Sequence, residues 1–296
     1  MNTGTTMVDA VTLSIPERQV RSPCRKKQWI VTCSDDNAYE SMLVPFVGSL
    51  ISLARWDGSI VVLDFGLSLS RVERLRDLGI VVEKARCNHN VVLDRFLYLG
   101  GFALRRGGLI AHWDADVWFT GSVSELFDTY HREHSGRLVC TIDPVFQQSF
   151  YSVASGELQL RKMRGVFQRL IQMLGHVLQC GFLCGDAVVM QKFSRYLQHL
   201  VSAGEVRPSW GSDAVGLSYF CYEHPHLVDV VDSGYNCLPD CQPERLGQHY
   251  FLQGRQVRAL HLTSPWRGSE DGQNYRFQKV YPELHQLWME RLRTTG

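Results

Sequence analysis

Four short apolar runs, separated by stretches of helical spacing, constrain this chain more than any other feature. Trp29 to Cys33 is a β-rich run, Ser59 to Asp64 a second, Ile80 to Glu83 a third and Leu109 to Ala111 a fourth. Between the first two, Met42, Leu43, Phe46, Val47, Leu50, Ile51 and Ala54 keep helical intervals, with Pro45 tolerable near the helix start. Leu69 to Leu78 reads as a second helix and residues 91–104 as a third. Strands alternating with helices predict an α/β domain on a mainly parallel sheet. Ligands of such sheets bind outside the carboxyl ends of the strands. Two polar clusters fall at such ends, Ser34-Asp35-Asp36-Asn37 and Asp114-Ala115-Asp116, and they are expected to share one crevice.

Two carboxylates one residue apart at the end of a buried strand are unfavourable unless a cation neutralises them. A hard divalent ion bound to substrate phosphates does so, because Mg²⁺ and Mn²⁺ favour oxygen ligands and open positions. The plainer alternative is a turn in which Asp is merely common. The Ser34–Asn37 cluster likewise suits a turn and a helix N-cap.

Further along, Val123 to Tyr130 reads as a helix and Leu138 to Ile142 as a strand. Residues 157–178 read as a long helix with a basic face of Arg161, Lys162, Arg164 and Arg169. A strand over Cys180 to Met190, helices at 192–203 and 213–220, and strands at Leu227–Val231 and Gln256–His261 follow. Tyr275 to Arg293 is predicted as a closing amphipathic helix. Residues 1–27 are polar and unpatterned, a loose arm ahead of a single domain over 28–293.

A net charge of +1, with the charges scattered, argues against a nucleic-acid partner. No apolar run approaches the ~20 residues of a membrane span, and Val8 to Ile15 is too broken for a signal-peptide core. Nine cysteines, odd in number and irregularly spaced, fit a reducing compartment, so a cytoplasmic location is expected. The Cys180/Cys184 and Cys237/Cys241 spacings are wider than those of usual structural zinc sites.

Several stretches together resemble retaining glycosyltransferases of the GT-A fold, the glycogenin and bacterial lipopolysaccharide-galactosyltransferase group (family 8). Thr32 to Tyr39 is similar to that family's nucleotide-binding start, and His112-Trp113-Asp114-Ala115-Asp116-Val117-Trp118 through Phe127 to its metal motif and following helix. Gln179-Cys180-Gly181-Phe182 stands where the family has Asn-x-Gly, and Gly211-Ser212-Asp213 where it has an Asp-Gln helix start. Tyr235-Asn236 matches a Tyr-Asn pair, and His261 followed by Pro265-Trp266 resembles the terminal element, with a shorter gap. These pieces run in the family's order from residue 29 to about 267.

The resemblance implies a Rossmann-like, mainly parallel sheet with flanking helices and a smaller acceptor-side region. It implies a UDP-sugar donor, Mn²⁺ or Mg²⁺ held by Asp114, Asp116 and His261, and retention of anomeric configuration. Thr32, Asp36, Asn37, Tyr39, Arg95, Asp114, Ala115, Asp116 and Gly181 are then expected at the donor, with Tyr39 stacked on uracil and Asn37 or Asp36 at its edge. Gln179 and Asp213 become the candidate catalytic residues, near the sugar and its developing oxocarbenium. Each has a plainer counterpart: His261 as a satisfied core histidine, Arg95 as a surface arginine, Asp213 as an acid at a helix N-terminus. Gln179 in place of Asn, and Ala214 in place of Gln, leave the donor sugar open.

Two other readings stand beside this one. A nucleotide-sugar pyrophosphorylase uses a similar sheet but opens on a Gly-rich basic loop, which Ser34–Asn37 is not. A non-catalytic sugar-binding module is the other. The acceptor is a glycan, glycolipid or protein; Trp118, Phe119, Phe146, Phe150 and Tyr151 form either an apolar wall for it or part of the core. The apolar stripe of the closing helix reads as core packing or, less favoured, as peripheral contact with an anionic membrane.

Overall fold

The four predicted strands form the parallel half of a seven-stranded sheet in the computed structural model, which describes residues 27–143, 157–263 and 269–293, with side chains left undescribed at 157–163. These are β1 (Gln28–Ser34), β2 (Ser59–Asp64), β3 (Val81–Lys84) and β4 (Leu109–Trp113). A π-helical turn, Tyr39–Leu43, leads into α1 (Val44–Ser52), with Pro45 in its first turn where no N–H is needed. The crossovers α2 (Leu69–Asp77) and α3 (Val91–Arg106) complete the alternation, and the helix expected from Val123 is α4 (Ser124–Glu133).

With β6 (Leu138–Asp143), β7 (Val177–Asp186) and β8 (Val228–Val230) added, the sheet order is β3-β2-β1-β4-β7-β6-β8. Parallel pairing puts Ser34 beside Asp64 and Val31 beside His112, so the carboxyl ends of β2, β1 and β4 lie side by side. β7 runs antiparallel to β4 and to β6, and β8 pairs parallel with β6. Successive strand residues bury on opposite faces, as the period of two requires. Ile30, Val62, Ala111 and Trp113 enter one core with α1, while Val31, Cys33, Leu63 and Ile110 enter the other with α3.

The element boundaries depart from expectation at four places. The strand predicted over Cys180–Met190 stops at Asp186, whose Oδ1 accepts from Val188 and Val189 N–H (3.0 Å each) and so starts α6 (Ala187–Ser202). The long helix α5 (Glu157–Leu174) ends before Gly175, at φ +77°. The single strand expected over Gln256–His261 is two pieces. β11 (Arg255–Gln256) joins β9 (Glu244–Leu246) and β10 (His249–Leu252) in a small antiparallel sheet, and β12 (Ala259–His261) pairs with β5 (Val117–Phe119).

After the short α8 (Glu270–Gln273), the closing helix is likewise two, α9 (Phe277–Val280) and α10 (Pro282–Leu292), because Pro282 cannot donate a helical hydrogen bond. Its apolar stripe is core: Phe277, Leu284, Trp288 and Leu292 are buried, and Trp288 Nε1 donates to Ser52 Oγ (2.9 Å). That packing accounts for the apolar stripe of this helix as core. No helix among the described residues is long and apolar enough to cross a membrane. Trp118 and Phe119 are also core, with Trp118 Nε1 donating to Tyr275 O (2.8 Å), which removes them from an acceptor wall. Phe146, Phe150, Tyr151, Pro265, Trp266 and the arm before residue 27 lie outside the described residues.

Candidate metal and donor site

Asp114 to Val117 closes as a tight turn, Val117 N–H donating to Asp114 O (3.1 Å), and it points both aspartates off the end of β4. The antiparallel pairing of β5 with β12 sets His261 opposite Val117, and Leu262 N–H donates to Asp116 O (3.0 Å). The backbone of a residue 145 positions from Asp116 is thereby bonded directly to the turn. His261 Nε2 lies 3.2 Å from Asp116 Oδ1 and 3.8 Å from Asp114 Oδ2. One ligand atom from each of the three residues falls within 4.8 Å of the others. Two carboxylates and an imidazole on one side, with a cleft on the other, fit a divalent ion that keeps positions open for phosphate oxygens. The geometry brings together the three residues expected as ligands.

Gly181 and Gln179 build the seat of the histidine. Asp114 N–H donates to Gly181 O (3.0 Å), which ties β7 to the aspartate turn. The His261 ring lies so close over Gly181 that a Cβ there would overlap Cε1 and Nδ1. Gln179 faces the same ring, Nε2 to His261 Nδ1 at 3.4 Å, while its carbonyl oxygen accepts from Gly181 N–H and from Asn236 Nδ2 (3.1 Å). Asn236 also donates to Thr141 Oγ1 (3.3 Å), and Trp113 Nε1 donates to Tyr235 O (2.8 Å). The Tyr235-Asn236 pair thus acts through the support of Gln179 and β4. Gln179 lines the cleft and, through the same amide, faces the His261 ring.

Arg95 projects from α3 between two acids. Its Nη1 is 2.6 Å from Asp114 Oδ1 and its Nη2 is 2.6 Å from Asp213 Oδ2. Asp213 stands in the first turn of α7 (Ser212–Glu223), behind Gly211 at φ +86°. The arginine is buried, so it is no surface residue. Its guanidinium spans Asp114, a candidate metal ligand, and Asp213, the acid expected near the sugar.

The electrostatics follow from this burial. Desolvation pushes Asp114 up to about 6 against the pull of Arg95 and His261, with Asp116 and Asp213 adding repulsion. For His261, desolvation favours the neutral ring, but Asp116, by charge and hydrogen bond, and Asp114 together raise it above its ordinary value. His112, fully buried with Nδ1 4.0 Å from Asp114 Oδ1, is held neutral by desolvation and then by Arg95 and His261. Burial also lifts the Cys33 thiol to about 12.

A cleft of about 410 Å³ runs across these strand ends. Arg95, Asp114, Ala115, Asp116, Gln179, Gly181, Asp213 and His261 line it. Four residues expected at the donor do not. Thr32 is fully buried within β1. Tyr39 is 2% exposed, its hydroxyl donating to Leu292 O (3.0 Å) and the Arg71 guanidinium 4.6 Å over its ring. Asp36 accepts from Ser68 N–H (2.8 Å) and pairs with Arg71 (3.1 Å). Asn37 is exposed on the turn. These positions lie off the cleft because the residues after Ser34 curl into a helical start, with Asp35 Oδ1 accepting from Ala38 N–H (2.8 Å), and this turns Tyr39 inward. Ser34, Asp35, Ala38 and Met42 face the cleft instead. Phe65, Val91, Val92 and Trp210 also line it and were not foreseen. Phe65 directly follows Asp64 at the end of β2, so the rule that flagged the ends of β1 and β4 would have found it.

No protein-family profile matches the chain, and no curated protein sequence matches it. Solved structures do. The bifunctional glycosyltransferase WbbM aligns over 92% of the chain at 15% identity with a TM-score of 0.59, and the chain spans about half of that protein (53%). The galactosyltransferase LgtC, solved with donor and acceptor sugar analogues, aligns over 88% of the chain and 95% of its own length at 18% identity with a TM-score of 0.57. Mouse xyloside xylosyltransferase 1 aligns over 82% of the chain and 99% of its own length at 12% identity with a TM-score of 0.50. At such identities the likeness is one of architecture, and the chain has the GT-A fold that these glycosyltransferases share.

Proposed function

We propose that this chain is a metal-dependent glycosyltransferase that moves a sugar from a nucleotide-sugar donor, a UDP-sugar, to a glycan, glycolipid or protein acceptor with retention of anomeric configuration. The observation that carries the reading is the convergence of Asp114, Asp116 and His261 within 4.8 Å at the rim of the strand-end cleft. Asp114, Asp116 and His261 would hold Mn²⁺ or Mg²⁺, which when bound neutralises the charge that grows on a departing diphosphate. Arg95 adds a fixed positive charge beside Asp114, where the phosphates would approach. The named functions of LgtC, WbbM and the xylosyltransferase, all sugar transfer, support the same class.

Retention requires a carboxylate nucleophile or attack from the leaving-group face. Asp213 is bound to Arg95 and Gln179 is an amide bound to Gly181, Asn236 and His261, so neither is poised as a nucleophile. We favour same-face attack, in which the leaving phosphate takes the acceptor's proton while Asp213 and Arg95 hold the sugar side of the cleft. The reading is tested by screening nucleotide sugars with Mn²⁺ for hydrolysis and transfer, alongside calorimetry of UDP with Mn²⁺ and with EDTA. Tight UDP binding and turnover that both need the ion are expected. Equal UDP affinity in EDTA removes the metal from the reading, and a clear purine preference among UDP, GDP, ADP and CDP removes uracil.

A further inference from the structure

We infer that the nucleobase of the donor packs against Phe65, at the end of β2, an assignment that rests on the donor reading above and names the residue that receives the base. The cleft-lining residues fall in a fixed order across the strand ends. Phe65 follows β2, Ser34 and Asp35 end β1, Asp114 to Asp116 follow β4, and Gln179 to Gly181 belong to β7. Neighbouring strands are about 4.8 Å apart, so Phe65 and the aspartates are separated by roughly 10 Å. A ribose spans such a gap between a base and a diphosphate.

The two sides of the metal cluster differ in chemistry. Toward β7 stand the polar groups of Gln179, Arg95 and Asp213, suited to sugar hydroxyls, together with Trp210, three residues before Asp213. Toward β2 the lining is more apolar, where Phe65 meets α3, whose first turn adds Val91 and Val92. A planar, weakly hydrated base belongs on the apolar side, and an aromatic ring is the strongest single platform for it. Tyr39 cannot serve, since its ring is covered and its hydroxyl is committed to Leu292.

Phe65 is also held in place before any ligand arrives. Its N–H donates to Ser34 O (2.9 Å), and Asp36 N–H donates to Gly66 O (3.3 Å). Asp64 Oδ1 accepts from Gly66 N–H (2.8 Å) and Leu67 N–H (2.6 Å), closing the loop beneath the ring. Asp36 joins this loop to the β1 turn through Ser68 and Arg71, so an acid expected at the base is a brace for its platform. Tyr98 of α3 meets the Phe65 ring edge to face, 6.1 Å between centroids at 81°. A platform held this way loses little freedom when a base settles on it.

The test is calorimetry of Phe65→Leu and Phe65→Ala with Mn²⁺, using whichever of UDP, GDP, ADP and CDP binds the wild type best, and inorganic pyrophosphate as a ligand without a base. The nucleotide is expected to bind about 5- to 100-fold more weakly to both variants, while pyrophosphate binds within twofold of wild type and Tyr39→Phe binds the nucleotide normally. Nucleotide affinity unchanged in both variants overturns the assignment. So does a parallel loss of pyrophosphate in Phe65→Leu, which keeps most of the side-chain volume. A wild type that binds no nucleotide with Mn²⁺ defeats the donor reading itself, a result separable from either of these.

Discussion

The site turns on a glycine with nothing to offer but its missing side chain. Gly181 lets the His261 ring lie flat on β7 with Gln179 at its edge, and a methyl group there would push the imidazole away from Asp114 and Asp116. Gly181→Ala is therefore expected to lower Mn²⁺ affinity about 10- to 100-fold, the usual cost of disturbing a ligand's support, with the fold retained by circular dichroism. Asp116→Asn acts on the ligand directly. It is nearly isosteric, relieves repulsion with Asp114 and loses the pairing with His261, so the melting temperature should move little. Transfer should fall by roughly two to three orders of magnitude, the equivalent of ~3–4 kcal/mol of leaving-group stabilisation; an active mutant with normal metal dependence would reduce the Asp-Ala-Asp stretch to a turn. The pH dependence follows from the same groups. Asp114 is pushed up to about 6 and His261 above its ordinary 6.5, so both carry protons in mild acid that a metal ion must displace. Mn²⁺ affinity should thus climb from pH 5.5 to 7.5, with proton release detectable by calorimetry in buffers of different ionisation enthalpy. A flat profile would place the ion elsewhere.

Between elements, two contacts decide how the site is framed. β12 is only three residues long, yet its pairing with β5 carries His261 to the aspartate turn. Its isolation from β11 is what makes this possible, because a continuous strand would have joined the small antiparallel sheet instead. The second contact is α10 on α1, where the Trp288 ring rests on Gly48. A Cβ there would sit 2.8 Å from Trp288 Cδ1 and Cγ. The indole is buried and tied to Ser52 Oγ, which limits its retreat, so Gly48→Ala should destabilise by about 1–3 kcal/mol through overpacking. Denaturant melts measure that loss, and Mn²⁺ affinity should remain unchanged because the contact lies away from the ligands. A variant as stable as wild type would show that α10 can shift on α1.

The folded chain as a unit should respond to its ligands together. UDP at about 100 times its dissociation constant, with Mn²⁺ present, adds roughly 2.7 kcal/mol to the folded state, a rise of about 5 °C for a domain of this size. EDTA should abolish that rise, and a shift that survives EDTA would separate nucleotide binding from the metal. Much of this architecture is legible in local pattern. Alternating apolar runs and helical spacing suffice for the parallel half of the sheet, since burial on both faces writes itself into consecutive residues of β1, β2 and β4. The position of Asp114 and Asp116 at a strand end follows from the same pattern, and the family resemblance adds His261 at the close of a later strand. Helix ends at Asp186 and Pro282 were harder to place, because a single cap or ring outweighs the periodicity around it. Side-chain direction was out of reach altogether. Tyr39 and Phe65 are both aromatic residues just past a strand, and nothing local says that one turns into the core to meet Leu292 while the other faces the cleft. Likewise the identity of Gln179 reveals an amide but not its partners, which come from Gly181, Asn236 and His261 at separations of 2, 57 and 82 residues. Local sequence sets which backbone shape is cheapest, whereas partner choice is settled only when distant segments compete for the same buried polar groups.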